Sequence, residues 1–207
     1  WAGGWNKLRE FMIAKRMDTA PVVDGRLDDP AWQAAAAADV PGLPPPPQGT
    51  SPQVRVGYDD LNLYVAFTCA EADPARLDEL ASGKSERASN IWSSDVVEVF
   101  LDPDRTRQRY YHLAASPMGG MSYDDQTGFG GGATQDPTWH EPWTVASHVD
   151  RDAGQWTLEL AVPFTSLTVE TPKPGDAWLA NFGRERPSGQ GDGQSLYLWS
   201  QLSSRFN

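Results

Sequence analysis

Apolar and polar positions alternate with a period of two along most of this chain, the spacing of half-buried strands. In "QVRVGYDDLNLYVAFTCA" the alternation runs on both sides of a Tyr-Asp-Asp-Leu-Asn turn. Val54, Val56 and Tyr58 share one side of the first strand, and Leu63, Val65 and Phe67 share one side of the second. This predicts a β-hairpin. "DVVEVFLD" predicts another strand, because β-branched residues favour extended backbone. It sends Val97, Val99 and Leu101 one way and Val96, Glu98 and Phe100 the other. Glu98 therefore sits on a mostly apolar face, where an unpaired carboxylate is costly and a partner is expected. Further strands are predicted in "RYYHLAAS", "WTVASHV", "QWTLELAV", with Trp156, Leu158, Leu160 and Val162 on one face, and "AWLANFGRER".

The segments between them read differently. Residues 1 to 20 hold the basic stretch "KLREFMIAKRM", a strand leading into the domain or a piece of linker. In "VDGRLDDPAWQAAAAA", Asp24-Gly25 marks a tight turn, and Asp28 or Asp29 caps a short helix that has Pro30 at its first position and ends before Pro41. "PGLPPPPQGTSP" can sustain neither a helix nor a central strand and reads as a surface loop. Residues 71 to 90 are polar and loop-like, with a helical turn expected near Pro74 to Leu80, and "GFGGGATQDP" is a long excursion. Many short strands with turn signals and little helix predict an all-β antiparallel β-sandwich or jelly roll with short helical turns, as one domain over residues 21 to 207.

Composition narrows the function classes. The chain has 207 residues, 28 acidic against 17 basic, for a net charge of -11 spread along its length. That balance opposes any role built on phosphate contacts, so nucleic acid is excluded as a partner. Nine Trp point to a binding surface, since Trp offers flat apolar area with a polar edge. The single cysteine, Cys69, reads as a buried thiol acting as a small hydrophobe. No stretch approaches the roughly 18 apolar residues of a membrane span, and the Trp at position 1 reads as a processed or trimmed segment.

Several apparent motifs fail on context. "SGKS" at 82 to 85 has Asp78 where a phosphate loop needs its first glycine. "GFGGGA" opens no helix within a βαβ unit. His140-Glu141 is followed by Pro142, and Thr144 stands where a zinc helix needs its second His. No G-x-S-x-G elbow exists. Asp95, Glu98 and Glu159 are the carboxylates available for glycoside hydrolysis, but alternation turns Asp95 and Glu98 away from each other, and Glu159 is expected to face solvent. Asp-rich turns cluster oxygen ligands, which makes Asp59, Asp60 and Asp102 candidates for a structural Ca²⁺.

The order of signatures resembles the family 9 carbohydrate-binding modules and their relatives: "VVDGRLDDPAW", "VRVGYDDLNLYVAF", "IWSSDVVEVFLD", "YYHLAAS", "WTLELAVPFTSL", "GDAWLANFGRER" and "LYLWS". The resemblance implies a non-catalytic β-sandwich module of a larger, exported glycan-active protein, extracellular or periplasmic. It also implies a saccharide held between two Trp rings, with Ca²⁺ bound elsewhere. On this chain the rings fall at Trp92 and Trp199, and a carboxylate that accepts hydrogen bonds from sugar hydroxyls falls at Glu98. Ala114 stands where members can carry a basic residue, so His112, Asn181 or Arg184 is expected to supply a donor, while a buried Arg such as Arg184 competes as the partner of Glu98. Relatives of the fold also serve as haem-binding electron-transfer domains, for which His112, Met118, Met121 or Lys84 are axial candidates. A third reading is a docking domain that contacts its parent enzyme through the Pro-rich loop and the N-terminal stretch.

Overall fold

A computed structural model describes residues 11–42, 50–73, 77, 91–117, 122–128, 135–136, 138–186 and 196–200. Its strands are β1 Lys15–Arg16, β2 Ala36–Asp39, β3 Gln53–Tyr58, β4 Asn62–Ala70, β5 Val96–Asp102, β6 Arg109–Ala115, β7 Ser122–Gly128, β8 Gln135–Asp136, β9 Thr144–Asp150, β10 Gln155–Pro163, β11 Leu179–Glu185 and β12 Leu196–Leu198. Two six-stranded sheets form. The first runs β1-β3-β4-β10-β9, with β2 also on β3; the second runs β12-β11-β5-β6-β7-β8. Among these strands every pair is antiparallel except β1 on β3. The all-β sandwich expected from the alternation is the observed architecture.

The core lies between the sheets and follows the period-two reading. Val97, Val99 and Leu101 of β5 meet Val54 and Phe67 of the hairpin and Trp156, Leu158, Leu160 and Val162 of β10, all at most 2% exposed. Cys69 joins this core, and burial pushes its thiol up to about 12. Chain direction reverses at Asp59, whose carboxylate accepts from the Leu61 and Asn62 amides at 2.7 Å and from the Tyr64 hydroxyl at 2.8 Å.

Among the described residues the one α-helix, α1, spans Pro30–Ala34 with Asp29 at its N-cap. Asp29 makes no side-chain cap bond there; its Oδ2 accepts from the Val22 amide instead. The alanines do not continue the helix, because residues 36–39 pair with β3 as an edge strand. Of the N-terminal stretch, residues 15 and 16 form a strand beside β3, and residues 1–10 lie outside the described residues. The helical turn expected near Pro74 to Leu80 also lies outside them, Leu77 excepted.

Glu159 corrects a sequence expectation. It points outward from β10, as alternation requires, yet it is fully buried. The segment from Val23 to Ala35 folds over that face and packs on Tyr64, Ala66 and Ala161. Three donors clip it down: Trp32 Nε1 to Oε1 at 2.5 Å, and the Gly25 and Asp24 amides to Oε2 at 2.6 and 3.0 Å. Burial pushes the Glu159 carboxyl up to about 7, although the three donors pull the other way. Gly25 permits the close approach: its φ is 89°, and a Cβ there would lie 2.3 Å from the Ser147 carbonyl carbon.

Candidate functional site

Glu98 projects from the outer face of the second sheet, on the strand that opens after a short 3-10 turn at Ile91–Ser93. It is 3% exposed. Its cross-strand neighbours are Gly183 on β11 and Ala114 on β6, so neither brings a polar group. A donor comes from His112 instead: Nε2 lies 2.9 Å from Glu98 Oε2. The other ring nitrogen, Nδ1, lies 3.9 Å from Oδ1 of the buried Asp125. Glu98 Oε1 is buried and has no hydrogen-bond partner among the described residues. A carboxylate oxygen left bare in a dry place is costly, on the order of 1–3 kcal/mol, and marks a position where an incoming donor gains most.

Aromatic rings line the same face. His112 is stacked between Phe100, at a centroid separation of 4.3 Å and 14°, and Trp92, at 5.5 Å and 22°. Phe100 in turn meets Tyr110 edge-on at 5.7 Å. Phe100 and His112 are largely buried, whereas Trp92 is 36% exposed. The column thus presents an indole to solvent at one end and a bare carboxylate oxygen beside its middle ring.

The other expected contacts lie elsewhere. Trp199 is 9% exposed and packs in the core, with its ring 5.5 Å from Phe182. Its amide donates to the Phe182 carbonyl, which extends the β12 ladder and turns its side chain the same way as the buried Tyr197. The second sheet therefore separates Trp199 from Trp92, and the pair does not form two walls of one cleft. Arg184 alternates with Phe182 and also points inward. Its Nε and Nη2 bond Asp95 at 2.9 and 2.6 Å, with Glu71 3.6 Å away, and its plane lies over Trp156. It pairs with Asp95, not with Glu98. Asn181 shares the outer face, but its amide donates to the Ser200 carbonyl and its oxygen accepts from the Ser200 amide.

The carboxylates considered for catalysis do not meet. Asp95 is in the ion pair between the sheets, Glu98 is outside the second sheet and Glu159 is outside the first. The residues considered for calcium are engaged in turns and do not fit an ion as they stand. Asp59 holds the hairpin, Asp60 pairs with Arg16 at 2.6 Å, and Asp102 on the other sheet accepts from the Arg107 amide. Among the described residues no three acidic, His or Cys side chains are grouped as a metal would require. As for haem, both His112 nitrogens face carboxylates, and Met118, Met121 and Lys84 lie outside the described residues. Sequence reasoning missed Phe100, Asp125 and Gly183; the shared face of Glu98 and Phe100 was the available signal.

Comparison with known proteins places this architecture. A family 9 carbohydrate-binding module from Caldicellulosiruptor kristjanssonii, solved with cellotriose, has the same fold: TM-score 0.56 at 14% identity, over 89% of this chain and 82% of that one. Exoglucanase XynX of Acetivibrio thermocellus is 24% identical over 157 residues, 76% of this chain and 13% of the enzyme. Endo-1,4-beta-xylanase A of Thermotoga neapolitana is 28% identical over 133 residues, 63% of this chain and 12% of the enzyme. The fold is thus that of a carbohydrate-binding module. The carbohydrate family 9 binding domain-like model matches residues 23–187, and the chain belongs to that family. It spans only about an eighth of the length of these relatives. No helix among the described residues is long and apolar enough to cross a membrane.

Proposed function

We propose that this chain is a non-catalytic saccharide-binding module, attached to a larger glycan-active protein and working outside the cell or in the periplasm, where polysaccharides too large to cross a membrane are met. The observation that carries the reading is the bare, buried Oε1 of Glu98 next to the exposed indole of Trp92. A pyranose has C–H groups on its faces and hydroxyls at its rim, so it suits a flat apolar wall with a placed acceptor. Trp92 is the wall, Glu98 accepts from a hydroxyl, and His112 orients the carboxylate from the far side. One indole serves here, because Trp199 belongs to the core.

Calorimetry against a panel of mono- and oligosaccharides tests this. A charge-assisted bond to a hydroxyl contributes roughly 1.5–3 kcal/mol, so Glu98→Gln is expected to weaken binding at least tenfold, and Trp92→Ala to abolish it, with circular dichroism unchanged in both. Absence of heat with every saccharide tried would count against the function itself.

A further inference from the structure

Beside the segment clipped by Glu159, the outer face of the first sheet opens into a cleft of about 340 Å³, with Thr68, Thr157 and Gln155 from the strands and Arg26, Arg55 and His148 in its lining. This cleft is on the opposite sheet from Glu98 and owes nothing to that site.

Acidic residues outnumber basic ones 28 to 17, yet the side chain of Arg55, half-buried on β3, makes no hydrogen bond or ion pair among the described residues. A guanidinium carries five donors in a fixed fork, and here all five are left for whatever fills the cleft. Arg26 lies on the facing border, its Nη1 3.3 Å from Nε2 of His148. Two acids line the same cleft and bring its formal charge to balance, but no ion pair joins either to Arg55. Asp150 accepts from the Ala153 amide at 2.9 Å, and Asp28 is exposed at the rim. The side chain of Gln155 is likewise without a partner among the described residues.

We propose that this cleft is a second ligand site, one that takes the carboxylate of an acidic saccharide unit, a uronic acid. The fork of Arg55 matches a carboxylate bidentately, Arg26 adds the second positive charge, and Gln155 with the threonine hydroxyls serves the ring hydroxyls. A neutral sugar offers the Arg55 fork no carboxylate to clasp.

The test is a ¹H–¹⁵N titration of the whole chain with D-glucuronate and, separately, with D-glucose, at about 0.15 M salt so that the long-range repulsion of the acidic surface is screened. Glucuronate is expected to shift the Arg55 Nε and Gln155 amide signals, with glucose at least about tenfold weaker. Arg55→Gln and Arg26→Gln, both surface changes, each lower glucuronate affinity roughly tenfold, and Glu98→Gln leaves it unchanged. Equal response to glucose and glucuronate overturns the proposal, and so does undiminished glucuronate binding by Arg55→Gln.

Discussion

Replacing Glu159 by Gln isolates the electrostatics of the segment folded over the first sheet. The carboxyl is fully buried, with its value pushed from 4.5 to about 7 by loss of water, against the pull of Trp32, Gly25 and Asp24. A change of that size corresponds to a difference on the order of 3 kcal/mol between the two protonation states. The sign follows from linkage. The folded state holds the proton more tightly than the unfolded one, so this group's contribution to stability is fully present below about pH 4.5. It is lost as pH rises through about 7. Gln keeps the shape and does not titrate, but its NH2 cannot accept, so either Trp32 or the Gly25 and Asp24 amides lose their acceptor and the variant starts lower in acid. Urea unfolding of both proteins between pH 4.5 and 8 should therefore show the native protein ahead in acid and that lead shrinking by about 3 kcal/mol by pH 8. Subtracting the two curves removes the other carboxylates. Parallel curves would refute the reasoning. A native protein that gains on the variant as pH rises would show that three hydrogen bonds outweigh burial.

Three further outcomes are expected. Asp95→Asn removes the acid that fixes the Arg184 guanidinium in a dry interior, and breaking such a pair on one side costs about 3–5 kcal/mol, read as a lower urea midpoint. Gly25→Ala forces a methyl group against the Ser147 backbone at a φ of 89°, so it should destabilise by at least about 1–3 kcal/mol, whereas Gly175→Ala, with open space around it, should cost less. Cys69, fully buried with its thiol held up near 12, should react with a thiol reagent only at the rate of unfolding; fast labelling of the folded protein would contradict its position.

Period-two patterning made the two faces of β5 and β10 legible: Val97, Val99 and Leu101 turn inward and Glu98 outward, as read. Alternation reports a side and not what covers it. Glu159 was assigned to solvent because the cover comes from residues more than 120 positions earlier, through Trp32 and Gly25, a contact no local pattern carries. Arg184 and Trp199 were misassigned for a different reason. Each alternates with a core neighbour, Phe182 and Tyr197, so the inward direction was available, but a charge and an indole invite a ligand reading. The partner expected for Glu98 was found in His112, whose place opposite Phe100 depends on the register of β6 against β5.

The Arg184–Asp95 pair also bears on how the chain assembles. Sliding β11 along β5 by two residues would keep every apolar side chain facing inward, so hydrophobic burial alone could not tell the right alignment from the wrong one. The same slip would carry the guanidinium about 7 Å along the strand, away from Asp95 and Glu71 and into packed hydrocarbon. The pair thus works as a proofreader of strand threading, penalising a mistake that greasy contacts would let pass.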